Sequence, residues 1–436
     1  MKKHENCFHL VALLKACAKN KDLHIGEKLH VDIAKCGLIN KSPYLANALI
    51  NMYSKCGSFN KARLLLEEIP IQSVVSWNAL IAGYAQQGLW HETIYCFEQM
   101  ENEGLYLNPV TFICSLKGCG SNIGDISKGK KIHEMVVIRG LLEKDMVLGN
   151  ALVDMYAKCG ALSQAEEALE ELPDRNVVSW SAVMGGYVQQ GQGLKALDCF
   201  ERMKSEGISP NAISYICVLK ACAIIRDVNK GKQIHDEILS KGMLSEKNIV
   251  LGTALVDMYA KCGLLAKAQL VLEELPARNV VSWSALIVGY AQQGHGHKAL
   301  NCFTRMQSEG LLPDAVTFIC ILRACSTMGD IERGEKIHEE IANRGLLRKN
   351  IVLGNSLIDM YVKCGMLAKA EAVLKELTIR DVVSWSSLID GYAQQGRCHA
   401  ALSCFRQMQS EGFSPNAVTF ICILKACGST GAIAKG

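Results

Sequence analysis

Apolar residues recur at helical spacing along the whole chain, in short segments that come in pairs. In the stretch TALVDMYAKCG, Leu255, Met258 and Tyr259 share one face of a helix, and Gly263 follows as a terminator. The next stretch, LLAKAQLVLEELP, has the same periodicity and ends beside Pro276. The pattern predicts a helix, a tight turn and a second helix, which together make one unit.

The helix pairs come in three lengths that follow one another in a fixed order. Residues 177–211, 212–248 and 249–279 make units of 35, 37 and 31 residues. Units of 36 or 37 residues are called middle repeats below, and units of 31 residues are called short repeats. The stretch VVSWSALIVGYAQQG and its relatives mark every third unit, and their tryptophans lie 103, 103 and 102 residues apart: Trp77, Trp180, Trp283 and Trp385. A long period built from three helix pairs is typical of a repeat array rather than of separate globular domains.

A helix pair of this size cannot bury its own apolar face, so neighbouring pairs must stack on one another. We therefore predict an all-α fold, a right-handed α-solenoid superhelix of about thirteen helix-turn-helix repeats, with one helix of each pair lining the inner surface. The array forms one domain, 1–436, with repeats at 7–42, 43–73, 74–108, 109–145, 146–176, 177–211, 212–248, 249–279, 280–314, 315–350, 351–381, 382–416 and an incomplete 417–436. Because the last repeat breaks off part-way, we expect the chain to be an excerpt of a longer protein.

The net charge and the cysteine positions limit which ligands and which kinds of site the sequence can support. The formal net charge is only +4, so any nucleic-acid contact must come from local placement of lysine and arginine. Seventeen of the twenty cysteines fall at four positions of the long repeat, and no CxxC occurs. We expect reduced, structural cysteines with no metal site and no disulfide.

Catalytic and targeting motifs are missing. The HxE stretches at His235 and His338 are half of a zinc-deaminase signature, but the PCxxC half is absent. Both histidines share a repeat position with His30 and His133, which favours a structural role. No phosphate loop or nucleophile motif occurs, no apolar run is long enough to span a bilayer, and the start, MKKHENCFHL, does not read as a targeting peptide. The sequence predicts no enzyme, no catalytic residue, no cofactor, no small-molecule substrate and no membrane partner.

Two positions of the repeat vary among short polar residues inside a constant frame. The first, in the first helix of the pair, holds Asn47, Asn78, Asn150, Ser181, Thr253, Ser284, Asn355 and Ser386. The second, the last residue of the repeat, holds Ser73, Asn108, Asn176, Asn211, Asn279, Asp314, Asp381 and Asn416. Such residues also cap helices or form turns, and both interpretations stay open. A polar side chain presented once per stacked unit is also what a linear reader of bases requires.

The cycle of unit lengths, with the stretches VVSWNALI, FICILKACG and GNALVDMYAKCG, resembles land-plant pentatricopeptide repeat proteins of the PLS subclass over essentially residues 7–436. Such proteins bind single-stranded RNA in organelles, one nucleotide per repeat, most often to select cytidines for C-to-U editing. The resemblance implies an organellar transcript as the partner and a mitochondrial or chloroplast location. A deaminase-bearing or other editing-complex protein is a candidate second partner, because deamination lies outside this sequence.

The resemblance also assigns roles to residues. The two polar positions of a repeat would jointly choose the base. An apolar residue in the first turn would sandwich bases between adjacent repeats: Tyr44, Val75, Val147, Val178, Val250, Val281, Val352 and Val383. Lysines near the end of the first helix of the short repeats are candidates for phosphate contacts, although a helix-end lysine favoured by the dipole is equally expected: Lys55, Lys158, Lys261 and Lys363.

The family's code predicts a target when applied to these pairs. Asn with Asn or Ser favours a pyrimidine, and Ser or Thr with Asn favours adenine. Ser284 with Asp314 favours guanine, and Asn355 with Asp381 favours uracil. Written 5′ to 3′ from the first short repeat, the target is Y-Y-N-Y-A-N-A-G-N-U-A, where N marks each middle repeat. The middle repeats have an aliphatic residue at the first polar position, and it cannot hydrogen-bond a base: Val11, Ile113, Ile216, Ile319 and Ile421.

A protein-binding solenoid similar to tetratricopeptide repeats is the alternative function. Such arrays keep a uniform period of about 34 residues. The three unit lengths of this chain favour RNA binding instead.

Overall fold

The structure, a computed structural model, describes residues 2–39, 41–70, 72–120, 126–348 and 350–429. Regular structure in these ranges consists of twenty-five α-helices and two short 3-10 turns, Glu246–Asn248 and Leu346–Arg348, without a strand. The all-α prediction is confirmed. By backbone contacts the chain divides into two compact units, residues 1–225 and 226–436. The expected end of the thirteenth repeat, 430–436, lies outside the described residues.

The helices follow one another in pairs. Those of the first unit are α1 (Lys2–Asn20), α2 (Leu23–Lys35), α3 (Pro43–Lys55), α4 (Phe59–Glu68), α5 (Val74–Gln86), α6 (Trp90–Asn102), α7 (Pro109–Cys119), α8 (Ile126–Ile138), α9 (Met146–Lys158), α10 (Leu162–Glu170), α11 (Val177–Gln189), α12 (Gly193–Ser205) and α13 (Ala212–Ile225). Those of the second are α14 (Val228–Ser240), α15 (Ile249–Lys261), α16 (Leu265–Glu274), α17 (Val280–Gln292), α18 (Gly296–Ser308), α19 (Ala315–Met328), α20 (Ile331–Asn343), α21 (Ile351–Lys363), α22 (Leu367–Glu376), α23 (Val382–Gln394), α24 (Cys398–Ser410) and α25 (Ala417–Ser429). From α3 onward, each odd-numbered helix starts at the first residue of a repeat expected from the sequence.

Within each unit the odd-numbered helices form a continuous layer. Helix α5, for example, packs against α3 and α7 in that layer and against its own partner α6. The core lies between this layer and the even-numbered helices, where Trp180, Val183 and Met184 of α11 are fully buried. Each helix pair therefore depends on its neighbours for burial, as the sequence predicts.

The turns form as the glycine and proline positions predict. Helix α15 ends at Lys261, and Gly263 adopts a left-handed φ of 85° that a residue with a side chain rarely takes. Its N–H donates to the Ala260 carbonyl at 3.0 Å, which satisfies a backbone acceptor at the helix end. Helix α16 ends at Glu274, and an extended Leu275 precedes Pro276.

The second helix of each middle repeat is joined to the first helix of the next repeat by a histidine. The Nδ1 atom of His235 lies 3.0 Å from the Tyr259 hydroxyl, and the same contact recurs at His30–Tyr53, His133–Tyr156 and His338–Tyr361. One turn earlier, Gly231 allows the same approach, because a Cβ there would lie 2.5 Å from the Met258 sulfur. The HxE histidines are therefore packing residues, as their repeat position predicts.

Three of these histidines make stability depend on pH. Burial lowers the pKa of His30, His235 and His338 below the usual value. Around His235, Lys267 lowers the pKa further, while Asp236 and Glu274 oppose the shift. Below about pH 6.5 the unfolded chain thus binds more protons than the folded chain. The stability of the fold with these neutral, buried histidines is therefore full above that pH and decreases as the pH falls.

We expect the urea midpoint of unfolding to drop between pH 7.5 and pH 5.5. Glutamine at His235 and His338 cannot titrate but can still hydrogen-bond a tyrosine hydroxyl. The double variant His235→Gln/His338→Gln should therefore show a smaller drop over the same interval. A wild-type midpoint that is constant over this interval, or an equal drop in the variant, would contradict the assignment.

Candidate nucleic-acid interface

The second residue of each first helix is apolar but exposed. In the 35- and 31-residue repeats the exposed fraction of this side chain runs from 54% to 81%: Tyr44, Val75, Val147, Val178, Val250, Val281, Val352 and Val383. The next two residues of the helix turn into the core, as Ser282 and Trp283 do after Val281. An exposed apolar side chain once per repeat is the kind of surface that meets a binding partner.

The middle repeats carry the same feature, which the sequence reasoning missed. Their second residues, Val110, Ile213, Val316 and Val418, are 52–59% exposed. The signal was available, because each is aliphatic and stands two residues into a helix whose register was known. The exposed apolar second residues of the first helices, called the apolar row below, therefore occur in every kind of repeat.

The variable polar residue of the first helix is its fifth residue and does not cap it. Asn78, Ser181, Thr253, Ser284 and Ser386 are nearly buried between neighbouring helices, while Asn47, Asn150 and Asn355 are partly exposed. Ser284 donates its hydroxyl to the Val280 carbonyl inside α17. The helix-cap interpretation of this position is wrong.

The last residue of each repeat is the cap of the following helix. The Asn279 Oδ1 atom accepts a hydrogen bond from the Ser282 backbone N–H at 2.8 Å, at the start of α17. The same bond forms at all positions of this class: Ser73, Asn108, Asn176, Asn211, Asp314, Asp381 and Asn416. A residue expected either to read a base or to form a turn thus has a definite structural task.

The two polar positions of a repeat meet, although they are 26 or 30 residues apart in sequence. Where the fifth residue is asparagine the contact is direct: Asn78 Nδ2 donates to Asn108 Oδ1 at 3.2 Å, Asn176 Nδ2 to Asn150 Oδ1 at 3.1 Å, Asn355 Nδ2 to Asp381 Oδ1 at 3.2 Å, and Ser73 Oγ to Asn47 Oδ1 at 3.3 Å. Thr253 Oγ1 reaches Asn279 Oδ1 at 3.5 Å. Helix stacking therefore builds a polar pair in each of these repeats.

Where the fifth residue is serine, one hydroxyl bridges the pair. Ser386 Oγ lies 2.7 Å from Thr419 Oγ1, which donates to Asn416 Oδ1 at 3.0 Å. Ser181 and Ser284 reach Asn211 and Asp314 in the same way, through Ser214 and Thr317. In these three repeats the contact runs through the bridging hydroxyl, so the asparagine and serine repeats differ in geometry as well as in residue type.

The last residue sets the hydrogen-bonding character of the pair. Burial alone would raise the pKa of Asp381, but hydrogen bonds from the backbone N–H and hydroxyl of Ser384 and from the Asn355 amide hold it below the usual value. Asp381 is therefore an acceptor only, whereas asparagine at this position also donates. In the described part of the chain, Asn78 Oδ1 and Asn355 Oδ1 are buried acceptors without a donor.

The helix-end lysines are engaged on their own helices. Lys158, Lys261 and Lys363 pair with an aspartate one turn earlier, at Nζ–Oδ2 distances of 2.6–2.8 Å: Asp154, Asp257 and Asp359. Lys55 has Asn51 at that place instead. Since an aspartate competes with any phosphate for three of the four lysines, these residues supply little net positive charge.

Buried cysteines form part of the core. Burial raises the pKa of Cys96 and Cys199 to about 12, as expected for thiols that act as core residues. A group of three residues suited to hold a metal ion does not occur among the described residues, nor does a helix long and apolar enough to cross a membrane.

Comparison with protein families identifies the repeat. The description "PPR repeat family" matches residues 72–121, 175–224, 278–327 and 380–429. The description "PPR repeat" matches residues 44–71, 150–177, 253–280, 316–346 and 355–382. The two together cover well over half of the chain.

Curated relatives extend beyond this chain. A chloroplastic pentatricopeptide repeat-containing protein of Arabidopsis thaliana is 33% identical over 429 residues, which are 98% of this chain and 52% of that protein. A mitochondrial one from the same plant is 33% identical over 428 residues, 98% of this chain and 41% of the relative. The chain thus spans about half the length of the curated relatives it matches.

Solved structures of the maize pentatricopeptide repeat protein PPR10 have the same fold. One matches with a TM-score of 0.66 at 21% identity and covers 98% of this chain and 67% of that one. PPR10 in complex with an 18-nt psaJ RNA element matches with a TM-score of 0.71 at 18% identity and covers 92% of this chain and 61% of that one. These likenesses confirm the predicted α-solenoid fold.

Proposed function

Because this chain belongs to the pentatricopeptide repeat family, we propose that its stacked repeats bind single-stranded RNA, with one base read by each polar pair. The observation that carries the proposal is the contact between the fifth residue and the last residue of a repeat, beside an exposed apolar side chain. A base that stacks on Val281 would bring its Watson–Crick edge toward Ser284 and Asp314. The structure of PPR10 with an RNA element supports the same class of ligand.

The wider role that we propose is that of a specificity factor for organellar RNA, in C-to-U editing or in processing, as in the PLS subclass. The cycle of three unit lengths supports this subclass. Relatives named chloroplastic and mitochondrial support an organellar location. Catalysis would come from a deaminase-bearing or other editing-complex partner, or from a part of the natural protein beyond this chain.

The proposed target follows the register of the repeats given above and reads Y-Y-N-Y-A-N-A-G-N-U-A. Its physical basis is the difference between the two pair geometries. An asparagine at the fifth position extends its amide to the last residue, as in Asn355–Asp381. A serine leaves that space to the bridging hydroxyl and to the base, which suits the larger purines.

The sharpest test exchanges one geometry for the other. Replacing Ser284 by asparagine while keeping Asp314 should recreate a pair like Asn355–Asp381 in the sixth of the eight repeats that carry a polar pair. We expect the preference at that one position to move from guanine toward uracil, by about 1–3 kcal/mol, the usual effect of one mismatched contact. Binding selection from a library randomised at that position measures the change.

Threonine at Ser284 is the matched control, because Thr253 already occupies this position in a repeat assigned to a purine. The variant Ser284→Thr should keep guanine. Retention of guanine by Ser284→Asn, in a protein that still binds the rest of the target, would remove the coding role from this position.

A further inference from the structure

The middle repeats carry a basic side chain at one fixed place. The ninth residue of their first helices is Lys117 in α7, Lys220 in α13 and Arg323 in α19, and all three are exposed. Lys15 and Lys425 stand at the same repeat position in α1 and α25. The proposed base code assigns no base-contacting polar residue to these repeats, and it does not assign a role to their basic residues.

Exposure places each basic residue on the face of the apolar row. In α7 the only exposed side chains are those of Val110 and Lys117. Residues seven apart on a helix lie two turns apart on one face. Helix α13 repeats this arrangement with Ile213 and Lys220, and α19 with Val316 and Arg323, each with one more exposed residue further along the helix.

The other repeats do not supply a comparable charge at this position. In the 31-residue repeats the ninth residue is Asp154, Asp257 or Asp359, each neutralised by its own lysine, with Asn51 in the first of them. In the 35-residue repeats it is Ala82, Gly185, Val288 or Asp390. No carboxylate of the described residues forms an ion pair with Lys117, Lys220 or Arg323, unlike the lysines of the short repeats. Apart from Lys55, whose helix has Asn51 in place of the aspartate, the uncompensated positive charge beside the apolar row therefore comes from the middle repeats.

We propose that Lys117, Lys220 and Arg323 bind phosphate groups of the RNA backbone, so that the middle repeats anchor the strand which their neighbours read. The proposal rests on RNA binding as the function of the array. A base that stacks on Val110 would leave its phosphate along the same helix face, toward Lys117. A lysine ammonium or arginine guanidinium without a protein carboxylate can give its full charge to a phosphate.

The test is the salt dependence of binding to the oligonucleotide U-U-A-U-A-A-A-G-A-U-A, which matches the proposed target. Each phosphate contact to a single strand contributes about 0.7 to the slope of log affinity against log salt. The triple variant Lys117→Ala/Lys220→Ala/Arg323→Ala should therefore lose about 2 from that slope. Between 50 and 200 mM salt, its affinity should fall about 18-fold less than that of the wild type.

A matched triple variant removes the same charge from the even-numbered helices of the same repeats. Lys130, Lys232 and Lys336 are exposed on α8, α14 and α20, and their replacement by alanine should leave the slope nearly unchanged. The exchange Lys117→Arg/Lys220→Arg/Arg323→Lys keeps the charge and should keep the slope. Circular dichroism melts would show that all three variants fold like the wild type.

The remaining outcomes separate the two proposals. If the wild type prefers its target over a scrambled RNA but the two alanine variants have equal slopes, the phosphate assignment fails and RNA reading stands. The assignment also fails if the first triple variant changes base preference rather than salt dependence. If the wild type shows no preference for any RNA, both proposals fail together.

Discussion

Replacement of Trp283 by alanine is expected to lower the free energy of unfolding by about 3–5 kcal/mol, the usual cost of removing a large buried aromatic side chain. Trp283 is 1% exposed, its indole N–H donates to Glu309 Oε2 at 2.8 Å, and the Arg305 guanidinium lies 5.3 Å from its ring centroid. Because a repeat is held by its neighbours, the loss should extend to the repeats on either side. Urea unfolding followed by circular dichroism measures it.

A second tryptophan provides the control for the polar part of this effect. Trp385 is 2% exposed, but its indole N–H is buried without a partner in the described structure, and Gln407 stands where Arg305 does. Phenylalanine removes the N–H but keeps most of the ring. Trp283→Phe should therefore cost more than Trp385→Phe, by about 1–3 kcal/mol for the lost charge-assisted hydrogen bond. Equal costs would show that packing alone decides the role of both tryptophans.

The largest expected effect on binding comes from the apolar row. The triple variant Val281→Ala/Val352→Ala/Val383→Ala should bind RNA about 100-fold more weakly, from about 1 kcal/mol of lost apolar burial at each position. The three side chains are 54–59% exposed, so their truncation should hardly change the stability of the fold. The loss should be similar for every RNA sequence, because an aliphatic wall does not distinguish between bases. Fluorescence anisotropy with the target and a scrambled RNA measures both.

Exposed apolar residues elsewhere in the second unit provide the matched control. Leu239, Leu270 and Ile379 are 51–66% exposed and lie outside the row of second residues. Their triple replacement by alanine should leave the affinity within a few-fold of the wild type. An equal loss in both variants would mean that the row has no special role in binding.

The sequence predicts the local structure of this protein closely, because local signals agree with one another. Gly263 and Pro276 end their helices where expected, and the helix that starts at Ile249 starts at a repeat boundary expected from the length cycle. The same local logic could have found the pairs such as Lys158–Asp154, since a spacing of four residues on a helix is enough. The exposed Val110 was missed because only the fifth residue of the middle repeats was considered as a binding residue.

What the sequence could not give depends on how repeats stack. The contact between Asn78 and Asn108 joins residues on two successive first helices, and the distance between those helices is set by the core side chains beneath them. The contact between His235 and Tyr259 has the same origin. The residue type of Asn279 is enough to predict that it can cap a helix. Its contact with Thr253 depends on how successive repeats stack.

The capping role of the last residue has a consequence for how such an array could change its target over time. Residues such as Asn279 and Asp381 must start a helix, and asparagine, aspartate and serine do this about equally well. In an array that reads RNA as proposed, these same residues distinguish one base from another. Their codons differ by single nucleotides for asparagine to aspartate and for asparagine to serine, so a new specificity lies one mutation away and leaves the helix start intact. The preferred RNA sequence could then change with little change in the free energy of unfolding. Replacement of a buried tryptophan, in contrast, would destabilise the fold.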